Sequence, residues 1–197
     1  MHLTTFSWSV FTGRFFSSYS LAVVFQDILL PLWKQLLLRL ETFGQTSEWL
    51  FLDGFLRSRV TQRLMLLRDN APRRVVICAL VGHCRELELL TAALFLSGAD
   101  TGVRVLMMGQ PFDELTLVCE RIKPLALVLF SNHLPLPELP RRLNRLAQSL
   151  DCQVLLAGDA SDLAQESLVG SSIGCLGNEG VMMRQRLKQF LAGKLDS

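Results

Sequence analysis

The sequence is poor in the residues that carry reaction chemistry. It has three histidines in 197 residues, no Ser/His/Asp or Cys/His order stands out, and no phosphate-binding P-loop is present. The five cysteines, at 78, 84, 119, 152 and 175, are an odd number and form no CxxC pair. That spacing gives no zinc site. All five read as reduced thiols, three of them in or beside apolar runs, the usage expected of a cytoplasmic protein. No charge sign dominates: 20 basic against 18 acidic residues leave a net charge of +2, too balanced to announce a nucleic-acid surface. No apolar run is clean enough to span a membrane. The strongest, Leu21 to Leu40, is interrupted by Gln26, Asp27, Pro31, Lys34, Gln35 and Arg39. A signal peptide is not supported either, because no basic region precedes Val10 and Arg14 falls where an apolar core belongs. Internal repeats and low-complexity tracts are absent.

Apolar side chains are plentiful. Half of the residues are hydrophobic, which permits a sizeable core. They concentrate first around Arg73 to Gly98, RRVVICALVGHCRELELLTAALFLSG. Val75 to Val81 is a short apolar run rich in β-branched residues, the pattern of a strand buried on both faces. Gly82 breaks it. From Arg85 the period changes, and Leu87, Leu90 and Leu94 recur at three and four residues, as on a helix with one broad apolar face. Gly98 is expected to end that helix. Strand, tight turn and helix make the first half of a βαβ unit, and the loop at the carboxyl end of the strand, Gly82 to Glu86, is where such sheets bind ligands.

Before this stretch the periodicity is helical. Val24, Ile28, Leu32 and Leu36 share a line, with Phe25 and Leu29 beside it, and Pro31 is expected to bend one helix or separate two. Ser47 is placed to cap a second helix, Glu48 to Arg68. That helix carries Leu52, Phe55, Leu56, Val60, Leu64 and Leu67 on one face and Arg57, Arg59, Gln62 and Arg63 on the other. Residues 1–20 have no clear period. Asp69 to Pro72 reads as a linker. The expected organisation is therefore a helical bundle over 1–70 and a second domain over 73–197.

The second part alternates. Strands are expected at Arg74–Leu80, Val103–Met108, Ala126–Phe130, Gln153–Ala157 and Gly174–Leu176. Helices are expected at Arg85–Leu96, Phe112–Arg121, Glu138–Leu150, Ala160–Glu166 and Gly180–Leu191. Five βα units in this length predict an α/β fold, a flavodoxin-like five-stranded parallel sheet with helices on both faces. Its switch point lies between the first and third strands. That order gathers the loops Gly82–Glu86, Ser131–His133 and Gly158–Ser161 at one end.

A helical bundle, a short linker and five βα units resemble the cobalamin-binding regulatory half of MerR-type transcription regulators. The resemblance covers roughly residues 20 to 193. It rests on ILLPLWKQLL and GQTSEWLFLDGFLRSRVTQRL in the bundle, and on VGHCRELELLTAALFLSGADTGVRVLMMG, VLFSN and VLLAGD in the sheet. The family places Glu-x-His-x-x-Gly after the first strand, with the histidine as lower cobalt ligand. The matching positions here are His83, Arg85 and Glu88. A guanidinium stays protonated and offers no lone pair to cobalt, and Glu88 puts bulk and charge where the family has a glycine. The family's third-strand serine is matched by Ser131, and its glycine pair after the fourth strand is half kept as Ala157-Gly158. In the bundle, the family's tryptophan position falls on Glu41 when its glycine is set on Gly44, and its Glu-His pair falls on Phe51-Leu52.

The resemblance thus implies a regulatory scaffold without cobalamin and without a metal, acting by self-association or through another ligand. The ligand-cleft candidates are Gly82, His83, Arg85, Ser131 and Gly158. The family carries a winged helix-turn-helix domain ahead of this half. The sequence shows no room for it, so the chain is expected either to be a fragment or truncated gene product or to work through a partner, reaching DNA only through a separate or missing domain. The expected setting is cytoplasmic, with no membrane partner and with a homo-oligomeric state.

Several residues admit a plainer reading. His83 and His133 read as solvated loop residues, Met107-Met108 and Met182-Met183 as core filler or interface surface, and Arg57, Arg59 and Arg63 as a solvated helix face. Asp159-Ala160-Ser161 resembles a turn entering a helix. Cys84, in a helix N-terminal turn, is a candidate for a lowered pKa and oxidant sensing. Arg85 with Gly82 is a candidate anion site. The latter sustains an alternative from another class, an enzyme or sensor taking a phosphorylated small molecule at the Gly82–Arg85 loop. It would have only His83, His133 and Asp159 as acids or bases.

Overall fold

In a computed structural model of the chain, the described residues are 21–39, 43–68, 71, 73–80, 84–106 and 108–193. Gly82, His83, Glu41 and residues 1–20 lie outside them. The chain divides into two compact units, 1–55 and 56–197.

The described part of the first unit is helical. Helix α1 (Leu21–Val24) runs through a π-helical turn (Phe25–Leu29) into α2 (Leu30–Leu37). Pro31 therefore neither breaks the segment nor separates two helices. Its ring would crowd the carbonyl four residues back, and a widened turn immediately upstream relieves that conflict. The widening is visible in the Leu30 N–H, which bonds the Phe25 carbonyl five residues earlier. A turn with one extra residue also resets the phase of the helix. The buried line is Phe25, Leu29 and Trp33, with Val24 beside it, while Ile28, Leu32 and Leu36 are only half-buried.

Helix α3 (Gln45–Arg68) begins after Gly44, whose φ of 86° sets the sharp entry. The Glu48 N–H already bonds the Gly44 carbonyl at 3.2 Å, so Ser47 lies inside the helix and is not its cap. Within this unit the Trp33 indole N–H donates to Asp53 Oδ1 at 2.9 Å, and the Trp33 and Trp49 rings lie 5.8 Å apart. Both Trp33 and Asp53 are buried. A buried carboxylate needs such a partner, and this one joins α2 to α3. Leu52 is buried and Phe51 is exposed.

In the second unit the rest of α3 buries Leu56, Val60 and Leu64 at four-residue spacing. Strands β1 (Arg73–Ala79), β2 (Thr101–Val105), β3 (Ala126–Phe130), β4 (Gln153–Ala157) and β5 (Gly174–Gly177) form one parallel sheet in the order β2-β1-β3-β4-β5. The flavodoxin-like α/β fold expected from the alternation is the fold observed. The intervening helices are α4 (Glu86–Leu96), α5 (Leu115–Ile122), α6 (Leu139–Gln148), α7 (Asp159–Ala164) and α8 (Gly180–Leu191), with short 3₁₀ turns at Phe112–Glu114 and Glu166–Leu168.

The register puts Val76, Leu127 and Val154 in one row and Cys78, Leu129 and Leu156 in the next. These residues share a face that packs with Leu115 and Cys119 of α5, Leu139, Leu143 and Leu146 of α6, and Ala160 and Ala164 of α7. On the opposite face α4 packs against α8. A Cβ on Gly174 would lie 2.6 Å from Phe190 of α8 and 2.5 Å from Leu155 of β4, which places α8 directly over the sheet. With both faces covered, β1, β3 and β4 read as unbroken apolar runs.

Strand β2 departs from expectation. It starts at Thr101 and ends at Val105, because Thr101 and Gly102 already pair with Arg73 and Arg74. The Leu106 N–H still reaches the Ile77 carbonyl at 2.9 Å. Gly98 does not end α4 by a left-handed turn. Ser97 leaves the helix in an extended conformation (φ −73°, ψ 149°), and its hydroxyl donates to the Ala93 carbonyl at 2.7 Å. Among the described residues, no helix is long and apolar enough to cross a membrane.

Candidate functional site

The strand order reverses between β1 and β3, so the connections leaving those two strands diverge to opposite faces. The crevice between them is the ligand position of this fold. Among the described residues, four of its elements are well defined: Cys84 to Glu88 after β1, Ser131 to His133 after β3, Gly158 to Ser161 after β4, and Asn178 after β5.

Glu88, in the first turn of α4, is buried although it is a carboxylate. One oxygen accepts the Arg85 backbone N–H at 3.3 Å, satisfying a donor at the helix start. The other accepts the Asn132 side-chain amide at 3.0 Å. Asn132 is fixed at its other end, where its carbonyl oxygen accepts the Asp159 N–H at 3.4 Å. A continuous chain of hydrogen bonds thus runs from the β1 connection through Glu88 and Asn132 to the start of α7. It crosses the switch point with the protein's own polar groups.

The loops on either side are locked in the same way. Ser131 is buried, and its hydroxyl accepts the His133 N–H at 3.2 Å. Its carbonyl accepts the Ala160 N–H at 3.0 Å, and its N–H donates to the Ala157 carbonyl at 3.2 Å. Gly158 has φ 84° and ψ −171°, a region that is essentially glycine's alone. A Cβ there would sit 2.4 Å from the Ser131 carbonyl oxygen and 2.8 Å from Asn132 Oδ1. Gly158 therefore serves the close approach of the β3 and β4 loops. The Gly177 N–H donates to the fully buried Ser161 hydroxyl at 2.9 Å, and the Asn178 amide donates to Asp159 Oδ1 at 2.9 Å.

Of the five cleft candidates, Ser131 and Gly158 are thus brought together beside the switch point, with the Gly158 backbone passing close to the Ser131 carbonyl. Arg85 enters by its backbone N–H, while its side chain is exposed. Gly82 and His83 fall outside the described residues. His133 is exposed and contributes its N–H to a turn. Asp159 holds Asn178, and Met183 is core while Met182 is exposed. Arg57 is not merely solvated. Its guanidinium donates to Glu86 Oε2 at 2.6 Å.

Cys84 is overturned as a low-pKa thiol. Burial, aided by the negative charge of Glu88, pushes it up to about 12, against a weaker opposing hydrogen bond from the Leu89 backbone. Helix N-terminal placement alone does not activate a thiol that is desolvated beside a carboxylate.

Sequence reasoning missed Asn132. Its partner lies 44 residues away, and no local spacing links them. Among the described residues, no group of three or more His, Cys, Asp or Glu side chains is arranged to hold a metal ion. Compared with known proteins, the chain is matched by no family model and by no curated protein.

Proposed function

We propose that this chain is an effector-type regulatory module, built like the regulatory half of a MerR-type regulator, that does not take cobalamin and acts by self-association or on another ligand. The observation that carries the reading is the Glu88–Asn132 hydrogen bond across the switch point. Glu88 stands where the family resemblance has a glycine, and Arg85 where it has the cobalt-ligating histidine. Opening that crevice for a cofactor tail would strip the Asn132 hydrogen bond from a buried carboxylate, at a cost of about 1–3 kcal/mol.

The competing reading, a phosphorylated small molecule at the Gly82–Arg85 loop, is less favoured. The Arg85 N–H that a phosphate would use is already taken by Glu88, and the first turn of α4 carries two carboxylates, Glu86 and Glu88. Native mass spectrometry of the chain purified from its own host tests the proposal. A subunit count above one with no corrinoid mass supports it. A monomer with no bound molecule, or a chain carrying a corrinoid, contradicts it.

A further inference from the structure

At the amino end of the sheet, opposite the switch point, two cysteines meet. Cys119 lies near the end of α5, which stops at Lys123 in a left-handed conformation (φ 50°). Cys152 immediately precedes β4. Cys119 belongs to the apolar core cluster and Cys152 packs against it, and both line a cavity of about 410 Å³ whose wall also includes Glu120, Lys123, Ser149 and Asp151.

We infer that Cys119 and Cys152 form a modifiable dithiol site, which a low-molecular-weight disulfide such as glutathione disulfide converts into an intramolecular disulfide. The two sulfurs are not equivalent. Cys119 is 4% exposed, whereas Cys152 is only half-buried. Each thiol is the largest influence on the other, which keeps the proton on the more deeply buried Cys119 and draws Cys152 below its ordinary range. Cys152 is therefore the entry thiolate and Cys119 the resolving thiol. None of the other three cysteines competes as a thiolate. Burial pushes Cys78 and Cys84 up to about 12 and also raises Cys175.

The exchange balances in two displacements. The Cys152 thiolate attacks one sulfur of the glutathione disulfide, forming a mixed disulfide and releasing the first glutathione thiolate. Cys119 gives its proton to solvent or to that leaving group and attacks Cys152 Sγ, releasing the second. Two electrons pass from the protein dithiol to the small disulfide. The two thiol protons end on two molecules of reduced glutathione.

The test is peptide mapping of the full chain after equilibration in a glutathione redox buffer, acid quenching and alkylation without reduction. The expected result is a cross-linked peptide joining Cys119 to Cys152, lost on treatment with dithiothreitol, with Cys78 unmodified. In a Cys119→Ser variant glutathione should stay on Cys152, and in a Cys152→Ser variant Cys119 should stay unmodified. The unaltered chain decides by itself if a variant does not fold. A lasting glutathione adduct on Cys152 with Cys119 free, a disulfide through another cysteine, or recovery of both thiols unmodified would overturn the proposal.

Discussion

The Asn132 amide donates to the buried Glu88 carboxylate at 3.0 Å, joining the connections that leave β1 and β3. A carboxylate in that position is costly unless its oxygens are occupied. Here one oxygen caps α4 and the other holds Asn132. Replacing Glu88 by alanine should leave the Asn132 amide and the Arg85 N–H short of an acceptor. These donors are part-buried and water replaces some of what they lose, so urea unfolding should show a loss towards the lower end of the about 1–3 kcal/mol that a buried unpaired group costs. With Asn132→Ala in a double-mutant cycle, a coupling of roughly 0.5–3 kcal/mol is expected. Additive single-mutant effects would contradict the link.

Gly158 and Gly170 make a controlled comparison. Both have positive φ, 84° and 76°, but a Cβ on Gly158 meets the Ser131 carbonyl oxygen at 2.4 Å, whereas one on Gly170 meets nothing within 4 Å. Gly170→Ala should cost only the backbone strain, about 1–2 kcal/mol. Gly158→Ala should cost clearly more, because a backbone carbonyl has to move. Equal unfolding midpoints for the two variants would argue against the tight β3–β4 loop approach.

Alkaline conditions should weaken the second unit through Cys78. Its thiol is raised from 9.0 to about 12 by burial. Below about pH 9 it is protonated in both folded and unfolded chains, and its contribution is fully present. As pH rises from there towards 12, the unfolded chain loses a proton that the folded chain keeps, so stability falls. The limiting slope is about 1.4 kcal/mol per pH unit for one group. Urea midpoints measured at increasing alkaline pH should decline, and the decline should be shallower in Cys78→Ala. An unchanged slope in that variant would assign the loss to other groups.

Much of the fold was legible because the sheet is buried on both faces. Solid apolar runs mark β3 and β4, and the limits read from them are those observed, Ala126–Phe130 and Gln153–Ala157. Helix α8 is likewise found over Gly180–Leu191, where glycine opens a plain amphipathic pattern. Legibility fails where the determining partner is distant or the geometry unusual. Thr101 and Gly102 join β2 because Arg73 and Arg74 pair with them, not because of their own propensity. The buried line Phe25, Leu29 and Trp33 lies one residue off the line expected, because Trp33 meets Asp53 and Trp49 of α3, partners that no local spacing reveals. Glu88 was visible as a bulky charge in a glycine's place, but its partner Asn132 was not, since the pair exists only once β1 and β3 lie side by side.

The most direct test of the account is a cobalamin-binding assay on the full chain. Incubation with hydroxocobalamin or adenosylcobalamin followed by gel filtration should return colourless protein, because Arg85 cannot ligate cobalt and Glu88 with Asn132 closes the crevice. The variant Arg85→His should remain colourless as well, with Glu88 still in place. A red, stoichiometric complex with the unaltered chain would contradict the central claim.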